Sequence, residues 1–195
     1  GGSEPLSLED QKGVFGELMV IKESFQRYGE PIFTEWNRNG LVDIDMTQSH
    51  QTEIEVKTVS DISNPIVSVS FFDQLRFQED RASILAVVQC NTTKTDFSLP
   101  TLPVFIDDVV EEMFGEIESD VSKRFEACLQ QQIVGYPWSE ADKKRFTTRF
   151  STNPIMRNFQ IQNGDSADQM ANQENMPNGV ELGGYQLDAS VLDEM

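Results

Sequence analysis

The stretch from Thr52 to Val59 reads Thr-Glu-Ile-Glu-Val-Lys-Thr-Val, and its strict alternation constrains this chain more than any other feature. Side chains two apart on a β-strand point the same way. Glu53, Glu55 and Lys57 are therefore expected on one face, and Ile54 and Val56 on the other. The same count places Asp43 and Asp45 together on an earlier strand, opposite Ile44 and Met46. Two carboxylates about 4 Å apart repel by roughly 4 kcal/mol at an effective dielectric near 20. A bound divalent cation would remove that repulsion. Mg²⁺ takes oxygen ligands, often one or two carboxylates plus substrate phosphates, and Asp43 and Glu55 fit that need. Lys57, one pleat beyond Glu55, is placed to hold or polarise an attacking water. The competing reading of these residues alone is a solvent-facing charge stripe.

Around this strand the chain alternates between periods. Val14, Phe15, Leu18, Ile21 and Phe25 recur at three- and four-residue spacing, which predicts a helix from Ser7 to about Arg27, with Ser7 as cap and Glu9 and Asp10 complementing the dipole. After the Tyr28-Gly29-Glu30-Pro31 break, IFTEW, LVDIDM, TEIEVKTV and IVSVS read as short strands separated by turns. FFDQLRF reads as one or two helical turns, and the apolar run ASILAVVQC as a strand covered on both faces. PVFIDDVVEEMFGEI, SDVSKRFEACLQQQIV and SEADKKRFTTRF read as helices, and NFQIQ and GYQLDAS as late strands. Residues 162–180 are polar, Asn-rich and without period, and read as a loop. The expected fold is α/β: helix, three to four mixed strands, helix and strand, followed by a helical elaboration. Residues 1–7 read as a tag or linker and 8–195 as one domain, with a core over 8–91, helices over 103–150 and late strands over 155–190.

Several functions are excluded by what is scarce. The single histidine, His50, lies in a Thr-Gln-Ser-His-Gln-Thr turn, so Ser-His-Asp or Cys-His hydrolysis and histidine zinc sites lack their imidazoles. Carboxylates and lysine remain for chemistry. There is no GxxxxGK[ST] or GxGxxG phosphate loop. Cys90 and Cys128 have no metal-ligand spacing and read as free buried thiols. No run is long and apolar enough to span a bilayer, so a cytosolic chain is expected. Thirty-three acids against fifteen bases give a net charge of -18, which argues against a nucleic-acid surface spread over the whole domain. Lys143, Lys144, Arg145 and Arg149 form one basic strip, read first as a solvated helix face. Asp107, Asp108, Glu111 and Glu112 likewise read as the exposed side of a helix. Trp36 is expected under the site or against the first helix, and Trp138 at the start of a later one.

Asp43, then Glu55-Val56-Lys57, resembles the PD-(D/E)XK phosphodiesterase motif. GVFGELMVI, Trp36 and Gly40 before VDID, EIEVKTV, and VSVSFFDQL together resemble the PD-(D/E)XK motif protein family of prokaryotic defence and restriction-modification neighbourhoods. The later IVGYPWSEADKKRF, NFQIQ and MPNGVELGGYQLDAS resemble its C-terminal region less specifically. The resemblance implies a restriction-endonuclease-like fold and Mg²⁺-dependent cleavage of DNA, with Mn²⁺ able to substitute. By it Glu17 matches the acid that the core helix sets beside the metal, and Gln74 a polar residue near the substrate. Asp43 is preferred to Asp45 as the motif's first acid. It also implies a target-recognition portion before this stretch, and other subunits of a defence complex as partners. The alternative it leaves open is a silent or partner-activated subunit.

Overall fold

The computed structural model describes residues 3–29, 35–37, 40–45, 50–69, 81–116, 118–162 and 185–195. It divides into two compact units: Gly1–Arg38 with Cys90–Pro154, and Asn39–Gln89 with Ile155–Met195.

The first unit is mainly helical. Helix α1 spans Leu8–Tyr28, and the Ser7 side chain accepts from the Asp10 backbone N–H at 3.1 Å, as the Ser-Leu-Glu-Asp sequence predicts. Gly29 closes it at φ 77°, a backbone angle that L side chains avoid. Phe15, Leu18 and Ile21 are buried on its inner face. Phe15 packs between Phe105 and Phe150, with ring centroids 4.8 and 4.9 Å away. Helices α2 (Leu102–Phe114) and α3 (Asp120–Gln132) follow. In α2 the acids Asp107, Asp108, Glu111 and Glu112 are exposed, while Leu102, Phe105, Ile106 and Val109 are buried, so the expected division of faces holds. Strand β1 (Glu35–Asn37) brings Trp36 onto Phe125 of α3, the rings stacked at 6.1 Å.

The expected helix over residues 139–150 is corrected. Ser139 does cap a helix, but α4 runs only over Glu140–Lys143. The backbone N–H groups of Thr147 and Thr148 each donate to the Glu4 carboxylate at 2.9 Å, and so are not available to continue the helix. Arg149–Phe150 then forms β7 against β6 (Thr92–Thr93). Glu4 also accepts from the Thr147 hydroxyl and the Gln11 amide. Burial pushes the Glu4 carboxyl up, but these hydrogen bonds outweigh it and hold the group at about 2. Residues 3–6 are thus built into the unit: Leu6 is buried, and the Ser3 carbonyl accepts from Arg145 at 2.7 Å.

The second unit is a mixed sheet with a covering ribbon. Its strands β2 (Gly40–Asp45), β3 (His50–Val59), β5 (Arg81–Gln89), β8 (Met156–Ile161) and β10 (Asp193–Glu194) pair in the order β2-β3-β5-β8-β10. Only the β3–β5 pair among these is parallel. His50, expected in the turn, opens β3 and pairs with Asp45, because the backbone ladder with β2 continues past Thr52 through Gln51 and Ile44. Strand β4 (Ile66–Val69) pairs with β9 (Tyr185–Asp188) as a separate two-stranded ribbon. Leu85 and Val87 of β5, Phe159 and Ile161 of β8, Val67 of β4 and Leu187 of β9 form one buried cluster, joined by Ala189 and Leu192. The mixed helix and sheet content agrees with the α/β class expected. FFDQLRF and most of residues 162–180 lie outside the described residues.

Candidate active site

Register decides which face the charged residues occupy. In the parallel β3–β5 pair Glu55 lies opposite Leu85 and Lys57 opposite Val87, and β5 sets Leu85 against Phe159. Paired residues on neighbouring strands share a face. Glu55 and Lys57 therefore lie on the face that carries the Leu85–Val87–Phe159 cluster, and Val59, two residues on, packs against that cluster. This is not a solvent-facing stripe. The Glu55 side chain is 12% exposed and that of Lys57 20%, and Lys57 Nζ lies 3.0 Å from Glu55 Oε1. Burial pushes the Glu55 carboxyl above its ordinary value, and the charge and hydrogen bond of Lys57 offset that only in part. Burial thus disfavours the charged form of Glu55 by more than its lysine restores.

The other predicted site residues are distributed as follows. Asp43 and Asp45 lie on β2, whose backbone pairs Asp43 with Thr52 and Val42 with Glu53. The side chains of Asp43 and Asp45, and the whole of Gln74, lie outside the described residues. No group of three or more His, Cys, Asp or Glu able to hold one metal ion occurs among the described residues. Glu17, on α1 in the first unit, accepts a hydrogen bond from the Trp36 indole N–H, so Trp36 does pack against the first helix. Glu17, Asp10, Gly13 and Val14 line a cleft of about 420 Å³ together with Trp36, Ile133 and Val134. The i, i+3, i+4, i+7 spacing of those α1 residues already places them on one helical face, so the neighbourhood of Asp10 and Glu17 is readable from spacing, although dipole compensation alone is the role that the sequence suggests for Asp10.

The basic strip is largely turned to local partners. Lys143 Nζ lies 3.6 Å from Asp107 and 3.5 Å from Glu140, Arg145 Nη1 is 2.9 Å from Asp142, and Arg149 Nη1 donates to the Leu99 carbonyl at 2.7 Å. Of the four cations only Lys143 lies on a helix, so the solvated helix face expected of the strip is corrected: Lys143 and Arg145 meet nearby acids and Arg149 a carbonyl instead. Cys90 is buried and Cys128 half-buried, both free, and burial raises the Cys90 thiol to about 11. Among the described residues no helix is long and apolar enough to cross a membrane.

No curated protein and no solved structure matches the chain. A family model described as "Putative PD-(D/E)XK family member, (DUF4420)" matches residues 1–164. With that match extending over most of its length, on a mixed α/β fold, the chain belongs to the DUF4420 family of the PD-(D/E)XK group.

Proposed function

We propose that this chain hydrolyses DNA phosphodiester bonds with a divalent cation, Mg²⁺ or in its place Mn²⁺, as part of a restriction or phage-defence system. The observation that carries this reading is the Glu55–Lys57 pair: a carboxylate and an ammonium 3.0 Å apart on the apolar face of a sheet, with burial outweighing their attraction at the carboxylate. A buried carboxylate disfavoured in its charged form is an oxygen donor that a hard cation would stabilise, so the donor chemistry fits the group the family implies. Glu55 would hold it, with Asp43 as the further acid that the motif calls for. When bound, the cation supplies positive charge that acidifies a water and offsets negative charge growing on the phosphate. Lys57 donates to the attacking water and keeps it beside the phosphate. Gln74 orients the active strand or the substrate.

The net charge of -18 favours a second reading, a silent or partner-activated subunit in which another chain supplies the contact with DNA. Cleavage of supercoiled and linear DNA with Mg²⁺, Mn²⁺ or EDTA, run beside Glu55→Ala, tests both. Metal-dependent nicking absent from the variant is the expected result. Equal nicking by the variant overturns the assignment of Glu55, and no cleavage by either protein moves the reading to the partner-dependent subunit.

A further inference from the structure

The loop between β6 and α2 carries a second feature that concerns nucleic acid, contained wholly within the first unit. Phe97 at its tip is 77% exposed. Single exposed apolar side chains are ordinary and need no explanation by themselves. This ring differs in how firmly it is presented. Asp96 Oδ1 accepts from the backbone N–H of Ser98 at 3.0 Å and from its hydroxyl at 2.6 Å, which fixes the turn around Phe97. The Arg149 guanidinium carbon stands 4.8 Å from the ring centroid, and Arg149 is itself held by the Leu99 carbonyl and by the pairing of its strand with Thr93. A rigid ring with a planar cation against it and most of its surface in water is arranged like half of a stack. Lys94, in the same loop, is 69% exposed, with Glu4 at 3.8 Å as its acidic neighbour.

We propose that Phe97, backed by Arg149, is a stacking platform for an unpaired nucleobase, with Lys94 meeting the adjoining phosphate. The inference rests on the reading that this chain acts on nucleic acid, and adds where it grips the strand. The neighbours of the ring decide between partner classes. Lys94, Thr95, Asp96 and Ser98 are all exposed and polar, so no apolar patch surrounds Phe97 as it would at the centre of a protein interface. A flat base needs only the ring and the cation. In a duplex the base faces are already stacked, so the occupant is single-stranded: a flipped base, a frayed end or a displaced strand.

The test is fluorescence anisotropy of labelled dT12, rU12 and a 12-base-pair duplex against the whole chain, in EDTA and low salt so that cleavage plays no part. Wild type is expected to prefer a single strand to the duplex, and the dT12 and rU12 arms say whether the sugar matters. Phe97→Ala is expected to weaken single-strand binding by about five- to 150-fold, the range for loss of one base-aromatic stack, with an unchanged melting temperature. Phe97→Trp should restore it. Equal binding by wild type and Phe97→Ala overturns the proposal, as does wild type binding none of the three probes. Because no metal is present, loss of the Glu55 assignment and loss of this one are separately visible: nicking that depends on Glu55 stands whatever Phe97→Ala does to anisotropy.

Discussion

Replacing Glu55 by Gln tests the site through stability before any substrate is needed. At 3.0 Å and an effective dielectric near 20, the attraction between Glu55 and Lys57 is roughly 5 kcal/mol. The carboxyl is nevertheless pushed above its ordinary value, so desolvation of its charged form exceeds that attraction. For an acid so shifted the folded state binds its proton more tightly than the unfolded chain does. Stability is therefore full below the ordinary carboxylate value and declines as pH rises from there through the raised one. The neutral amide introduced by Glu55→Gln would imitate the protonated form, and Lys57, one-fifth exposed, keeps access to water. The metal-free variant is thus expected to be no less stable than wild type at neutral pH. For a chain of this size each kcal/mol is about 2 to 4 °C in Tm. A cation at about 100 times its Kd stabilises the wild type by roughly 2.7 kcal/mol, or about 5 to 11 °C, and the variant not at all. Thermal unfolding at pH 7 with EDTA, Mg²⁺ and Mn²⁺ reads all of these values. A variant less stable than wild type in EDTA, or one that keeps the metal response, would refute the reasoning.

The remaining expectations concern other groups. Lys57→Ala should lower metal-dependent cleavage by about 100-fold or more while leaving the Mn²⁺-induced rise in Tm in place, since it removes a proton donor and not a ligand. Asp43→Ala should raise the Mn²⁺ concentration needed for that rise at least about tenfold and Asp45→Ala should not; the reverse result would make Asp45 the ligand. Trp36→Phe keeps the stack on Phe125 but removes the indole N–H from Glu17, and should lower stability by about 1.5 to 3 kcal/mol in chemical denaturation. Glu4→Gln should lower stability at pH 7 by about 2 kcal/mol, after allowance for the water that reaches the group. The depressed carboxyl of Glu4 contributes fully above the ordinary value of 4.5 and loses its contribution as pH falls toward about 2, so the variant's stability should fall less between pH 5 and pH 2 than the wild type's.

Local features are legible wherever neighbours in sequence decide the structure. Ser7 and the spacing of Phe15, Leu18 and Ile21 announce α1, and the alternation from Thr52 to Val59 announces β3, because caps and periodicity are short-range. The segment after Ser139 misleads for the opposite reason. Its charges and cap suit a helix, but Glu4, more than 140 residues away, takes the N–H groups of Thr147 and Thr148. The orientation of Glu55 and Lys57 is open in the sequence for a similar reason. Alternation places them on a common face, and only pairing with Leu85 and Val87, together with the cover from Leu187 and Leu192, makes it the inner one. The backing of Phe97 by Arg149 joins residues 52 apart in sequence, and nothing in the local pattern of either segment announces it.

The ribbon over that inner face sets a timetable for the nascent protein. Strand β4 is complete at Val69, yet its partner Tyr185–Asp188 and the cluster residues Ala189 and Leu192 follow roughly 120 residues later. At about 5 to 20 residues per second, synthesis leaves Val67 without that cover for about 6 to 24 seconds, and Leu85 and Val87 for about 5 to 20 seconds. The ribosome therefore makes all of that intervening polypeptide before the sheet face around Glu55 can be covered, and a messenger truncated ahead of the Tyr185 codon would yield a chain whose apolar sheet face stays open and sticky.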